Sequence, residues 1–416
     1  MNENVNGIEN EIAQECGCRM ENAVAPVGET EAPPAATEAP DAAPAEDVPA
    51  DESEGDASDG AAPMEITEAA PLTEEEIREG EKASVGRIAS RVGLFVTVLY
   101  LSWLLLAGTS VAIVSVFISA FGWSSPDVSS FATLFVNVAA MFSAAMIARP
   151  LLPKPSSPMP RGKFGFGRVL CALGATVVFV MITAPLGHSF TYMWDLLTGV
   201  GGGANSYSNP WAMLLFAGLF TPIVEELIFR RFLIGRLRPL GEGFAILLSS
   251  AIFAVFHMNF TQMFFTFFCG LVWGYAYCRS GKFWHVCFLH IAYNTLYGLL
   301  LPYLTNWGMT ALEQISTVGD SLKPADVLPF IGNLLILMAW GLVAAVILAL
   351  AVLGVIALSR TLPKLKLEQS EFSLSRKEKL RAVFSASGFI AMLLVGAIYL
   401  VSNVTGSSVL SMLIPF

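Results

Sequence analysis

Charge is scarce in this chain. Asp, Glu, Lys and Arg make up 14% of its 416 residues against 54% hydrophobic, which leaves too few polar side chains to cover a soluble core of that size. That scarcity excludes an ordinary soluble domain and points to a membrane protein. Its long apolar runs contain no aspartate, which excludes hydrolysis by two membrane-embedded aspartates sharing a proton. No Gly-x-Ser-x-Gly turn offers a serine nucleophile, and no His-Glu-x-x-His offers a helical zinc pair. The start of the chain lacks a basic stretch followed by an apolar segment and a small-residue cleavage site, so the first apolar helix is expected to serve as the targeting signal. The six cysteines form no pattern of a disulfide framework. Cys171, Cys269, Cys278 and Cys287 lie in or beside apolar segments, where they are expected to pack as small hydrophobes.

The net charge of -10 conceals two different pieces. Residues 1–81 hold 23 of the 34 acids and 2 of the 24 bases, which leaves 82–416 with 11 acids and 22 bases. The first piece is rich in Ala, Pro, Glu and Asp and almost free of aromatic residues. It cannot bury enough apolar surface to offset the entropy of ordering, so it reads as a disordered acidic tail. The second piece reads as one transmembrane domain.

Apolar runs near the ~20 residues that cross a bilayer occur at about 94–121, 130–149, 169–190, 210–237, 244–262, 263–279, 283–303, 329–358 and 386–404. They predict an all-α polytopic membrane protein of eight or nine transmembrane helices, with a polar catalytic cavity among the helices that carry the motifs below. The least secure boundary is the turn at Asn259–Gln262. Bases collect beside alternate ends of these runs: Arg87 and Arg91, then Arg149 to Arg168, Arg236 and Arg238, Arg279 and Lys282, and Arg360 to Arg381. The intervening loops carry only Lys323. Since bases are retained on the cytoplasmic side, the tail is expected in the cytoplasm of a multi-pass protein of the plasma membrane.

Ionisable side chains inside a span are costly and mark function by default. The acids within the runs are Glu225 and Glu226, and two imidazoles, His257 and His290, lie on other runs. Glu226 and Arg230 stand i and i+4, the arrangement of a helical ion pair with the acid first. Glu225 points about 100° away and stays available for chemistry. Phe253 with His257, and His290 with Asn294, repeat the i, i+4 spacing, so each pair shares a face. At ~1.5 Å per residue all four polar groups fall at similar depth.

Two mechanisms of peptide hydrolysis fit these groups. In one, Glu225 and His257 activate a water while His290 and Asn294 donate to the oxyanion. In the other, Glu225, His257 and His290 hold zinc with a water in the open position. Asn294 favours the metal-free version, because an amide donates to an oxyanion better than it binds zinc. An ion-coupled transporter and an inactive membrane scaffold are the competing readings. His188 and His285 are expected at the interface, and Trp103, Trp123, Trp211, Trp284 and Trp307 in an aromatic belt.

In order and on separate helices, Glu225-Glu226-x-x-x-Arg230, Phe253-x-x-x-His257 and His290-x-x-x-Asn294 resemble the three motifs of the CAAX prenyl protease and bacteriocin-processing family, also called the abortive-infection family. The resemblance covers about residues 165–305, the expected protease core. It implies an intramembrane endopeptidase in which Glu225 and His257 activate water and His290 with Asn294 stabilises the oxyanion. Expected partners are a membrane-associated, prenylated or leader-peptide substrate and the bilayer, with no nucleic acid.

Overall fold

The computed structural model describes residues 72–123, 125–155, 159, 162, 164–198, 209–257, 259–317 and 324–405. Most of the acidic tail lies outside them. Among the described residues the secondary structure is helical throughout, in ten helices: α1 (Glu74–Ala120), α2 (Pro126–Ala148), α3 (Phe166–Thr198), α4 (Pro210–Leu240), α5 (Glu242–Phe256), α6 (Phe260–Ser280), α7 (283–317), α8 (Val327–Thr361), α9 (Arg376–Phe384) and α10 (Ser387–Thr405). Eight of the nine apolar runs each fall on one of them, and the run 244–262 crosses from α5 into the start of α6. The chain is an all-α polytopic membrane protein.

Its outward faces carry Leu105, Ile113, Phe135, Ile182, Leu335, Leu348 and Val355, all exposed. Apolar surface on that scale is ruinous in water and suits a lipid-facing bundle. The helices α1, α2, α3, α4 and α8 are each long and apolar enough to cross a bilayer, and α9 with α10, bent by 67°, makes a sixth if taken as one broken span. The expected eight or nine crossings exceed what length and composition support. One reason is that α5 has 15 residues, about 22 Å against a hydrocarbon core of about 30 Å. The break between α5 and α6 comes at 257–259, where the Asn259 side chain caps α6 by accepting from the Gln262 amide at 2.8 Å.

Two further expectations need correcting. Residues 74–81, read as the end of the tail, form the first turns of α1. Thr73 and Glu76 close a reciprocal capping box there, with three acids in the first turn opposing the helix dipole. Cys269, Cys278 and Cys287 are buried and free as expected, but Cys171, also buried, is disulfide-bonded.

The core places α4, α5, α6 and the first part of α7 around one another. α3 packs against α6 and α8, while α1 packs against α2 and α10. The ends that carry bases meet on one side of the bundle. Arg238 at the end of α4 pairs with Glu368, Arg279 at the end of α6 pairs with Glu242, and the Glu368 amide donates to the Glu242 carboxylate at 2.7 Å. Gly241 makes this junction possible, turning α4 into α5 at φ 108°, a conformation that favours glycine. Arg78 and Lys82 on α1 reach Glu378 on α9, and Glu81 accepts from Ser373. The segment between α8 and α9 thus straps the core to α1.

Under reducing conditions, with the Cys171 disulfide open, removing residues 1–71 is expected to leave the melting temperature in detergent unchanged, whereas removing 1–81 is expected to lower it by a few degrees. The second cut takes away the capping box and the Arg78 and Glu81 contacts. Equal melting of the two truncations contradicts this role for the first turns of α1.

Candidate active site

The motif residues sit where helices change pitch. α4 is π-helical over Met213–Phe220, α-helical over Thr221–Glu226 and π-helical again over Leu227–Ile234. Glu225 and Glu226 therefore close a short α-helical stretch between two wide ones. α7 is α-helical over Phe283–Tyr293 and becomes π-helical from Asn294 to Leu300, so its site residues flank the change. Wide turns of this kind redirect side chains and collect at functional sites. His257 follows the last turn of α5, with its amide bonded back to Ala254 O.

Glu226 is the hub. Its Oε1 lies 3.0 Å from Arg230 Nη1 and accepts from His290 Nδ1 at 2.8 Å, with Glu226 0% and Arg230 1% exposed. The expected i, i+4 ion pair is present, with an imidazole added. The contact between Glu226 and Arg230 is close but poorly aimed, because Arg230 Nη1 and Nη2 and Glu226 Oε2 lack a hydrogen bond of good geometry. Aromatic faces supply part of what the guanidinium lacks. Its carbon sits 4.6 Å from the centre of the Phe253 ring and 5.4 Å from that of Trp273, distances at which a cation is attracted to the ring.

His290 has its other nitrogen, Nε2, 3.5 Å from Glu225 Oε2. Since Nδ1 donates to Glu226, Nε2 is the nitrogen turned toward Glu225. His257 Nδ1 lies 2.8 Å from Phe253 O. A carbonyl can only accept, so Nδ1 carries the hydrogen and Nε2 of the neutral ring keeps its lone pair. The Phe253 ring separates the two imidazoles, edge-on to His257 at 4.8 Å and to His290 at 5.9 Å. Phe253, expected only to share a face with His257, is thus the spacer of the site. Asn294 donates from Nδ2 to Ala217 O on the first π-helical stretch of α4 at 3.0 Å. Its second amide hydrogen remains.

Glu225, Glu226, Arg230 and His290 are therefore brought into one contact network, and His257 joins it through Phe253. Among the described residues no hydrogen bond links His257 to Glu225, or Asn294 to His290. Nor do three His, Cys, Asp or Glu side chains group so as to hold a metal ion. The zinc set of Glu225, His257 and His290 does not close in this geometry.

Sequence reasoning passed over one residue of the site, Trp273. Trp273 lies tilted by 33° against the His290 ring at 4.2 Å between ring centres and donates from Nε1 to Thr176 on α3 at 3.0 Å. The signal was available: Trp273 lies in the middle of an apolar run, away from the interfaces where membrane tryptophans collect.

The comparisons with known proteins fall on this region. Residues 207–296 match the model of the type II CAAX prenyl endopeptidase Rce1-like family. That segment contains all three motifs that resemble the CAAX prenyl protease and bacteriocin-processing family. The chain is also 31% identical over 107 residues to Putative membrane peptidase YdiL of Bacillus subtilis (strain 168). The similarity takes in 25% of this chain and 42% of that protein. No solved structure matches.

Replacing one partner of a buried ion pair leaves the other charge stranded at about 3–5 kcal/mol. Arg230→Met is therefore expected to lower the melting temperature sharply, and adding Glu226→Gln to recover much of the loss. Calorimetry or light scattering in detergent measures both. Arg230→Met melting like the wild type contradicts the pairing.

Proposed function

We propose that the protein is an intramembrane endopeptidase that hydrolyses a peptide bond of a membrane-attached protein or peptide, using a water activated by Glu225 and His257. The observation that carries the reading is the division of labour between adjacent acids. Glu226 is held by Arg230 and His290, while Glu225 has His290 Nε2 at 3.5 Å and no cation of its own. An acid left with one imidazole inside an apolar bundle is placed to take a proton, and His257 Nε2 offers a second lone pair.

In this mechanism Glu225 and His257 draw a proton from water, and the hydroxide adds to the substrate carbonyl carbon. Charge moves to the carbonyl oxygen. Asn294 supplies its remaining amide hydrogen to that oxyanion. His290, positioned by Glu226, donates from Nε2 when a proton passes to it from Glu225. Collapse of the tetrahedral intermediate breaks the C–N bond, and the abstracted proton leaves on the amine. Trp273 and Phe253 exclude bulk water and fix both rings. The alignment of the core with a prenyl endopeptidase family supports a prenylated or similarly anchored substrate. Against a transporter, Glu225, Glu226, Arg230 and His290 close on one another instead of forming a file across the bilayer.

Cleavage of a lipid-anchored peptide by the protein in liposomes is expected to survive exhaustive chelation and to fall by about 10²–10⁴-fold in His257→Ala, the usual range for removing a general base. Labelled oxygen from solvent is expected in the new carboxylate. Cleavage that stops on chelation and returns with zinc overturns the water-activation route, and no cleavage of any anchored peptide overturns the enzyme reading.

A further inference from the structure

A cavity of about 620 Å³ opens between the first part of α1 and α9, far along the chain from the motif residues. It is lined by Lys82, Arg87, Ser90, Glu378, Arg381 and Ser387, with small residues between them. Its one acid is already occupied. Glu378 takes Arg78 Nε at 3.0 Å and the Ser375 hydroxyl at 2.6 Å, while Lys82, 3.9 Å from Glu378, is paired with Glu79 at 2.7 Å. Arg87 and Arg381 are exposed and form no ion pair with a carboxylate among the described residues, Arg87 donating instead to the Ser84 hydroxyl at 2.8 Å. Two cations without a carboxylate partner thus border a space whose only anion is neutralised.

The depth of the cavity is set by its floor. Ser90 and Ser387 hydroxyls lie 3.3 Å apart, and the Gly388 amide donates to Ser90 Oγ at 3.1 Å. Immediately below, α1 and α10 touch backbone to backbone: a Cβ on Gly388 would stand 1.9 Å from Ser90 O, and one on Gly93 2.3 Å from Gly388 O. The apolar run of α1 begins one turn past Ser90, and α10 begins at Ser387, so the cavity lies where both helices leave the hydrocarbon. Beside it, α9 is bent 67° from α10. It exposes Leu380 and Phe384 next to Arg376, Lys377 and Arg381, the mixture of an interfacial helix. Exposed Leu94 on α1 and Ile390 on α10 start an apolar surface below the floor.

We propose that this cavity binds the phosphate headgroup of an anionic phospholipid, with Arg87 and Arg381 as its cationic contacts and the acyl chains lying along α1 and α10. The small volume admits a headgroup but no protein segment of any length. The apolar rim and the depth favour a lipid phosphate over a soluble one. Such a lipid bridges α1 to α9 on the side where the segment after α8 straps the core, and it is independent of the chemistry at Glu225.

The test uses the full chain in nanodiscs of phosphatidylcholine with increasing phosphatidylglycerol, reading retained lipid by native mass spectrometry. Wild type is expected to retain phosphatidylglycerol selectively. A basic side chain near an anionic surface contributes roughly fivefold in affinity, so Arg381→Gln is expected to lose about fivefold and Arg87→Gln with Arg381→Gln about 25-fold. Arg87→Lys with Arg381→Lys is expected to stay within about threefold of wild type, on the same per-charge scale. Equal melting of all variants in phosphatidylcholine alone separates lost binding from lost folding. Undiminished selective retention in the double Gln variant overturns the proposal. So does displacement of the lipid by millimolar inorganic phosphate, which assigns the site to a soluble anion.

Discussion

A carboxylate withdrawn into a membrane interior must find its counter-charge there, and Glu226 finds it in Arg230 one helical turn away. This pairing governs the rest of the site. Because Arg230 is spent on Glu226, the adjacent Glu225 has only His290 beside it. Because Glu226 also accepts from His290 Nδ1, the imidazole turns Nε2 toward Glu225. The rings of Phe253 and Trp273 cover the guanidinium and touch both histidines. A buried charge that is expensive alone thus orients the His290 imidazole.

The same economy of charge operates at the basic side of the bundle. Glu242, buried at the start of α5, gathers Arg279 and the amide of Glu368. Through it the end of α6 and the segment after α8 are fixed to the turn that follows α4, the helix carrying both motif acids. The scaffold around the site is therefore closed by ion pairs at one end and by apolar packing along its length.

Much of this was legible in the sequence because a bilayer makes polar residues conspicuous. Glu225, His257, His290 and Asn294 stood out in apolar runs, and the i, i+4 spacing of Glu226 and Arg230 announced their pairing. What escaped depended on residues distant in the chain or on altered helical pitch. Glu242 sits just before an apolar run and meets Glu368, 126 residues on, which no local pattern reveals. Three π-helical stretches shift the faces that a uniform 3.6-residue repeat assigns, so Asn294 reaches Ala217 O. Thr73 and Glu76 were a readable capping box, overlooked because acidic composition dominated that stretch. The number of crossings stayed open because α5 is short for a span.

The central claim is that two adjacent acids differ in kind, Glu225 acting on water and Glu226 holding Arg230 and His290. Its most direct measurement compares Glu225→Gln with Glu226→Gln in one preparation, reading melting temperature and cleavage of a lipid-anchored peptide together. The account predicts that Glu225→Gln keeps the wild-type melting temperature and loses cleavage, while Glu226→Gln melts well below the wild type. Glu225→Gln that still cleaves at the wild-type rate, or Glu226→Gln that melts unchanged, contradicts it.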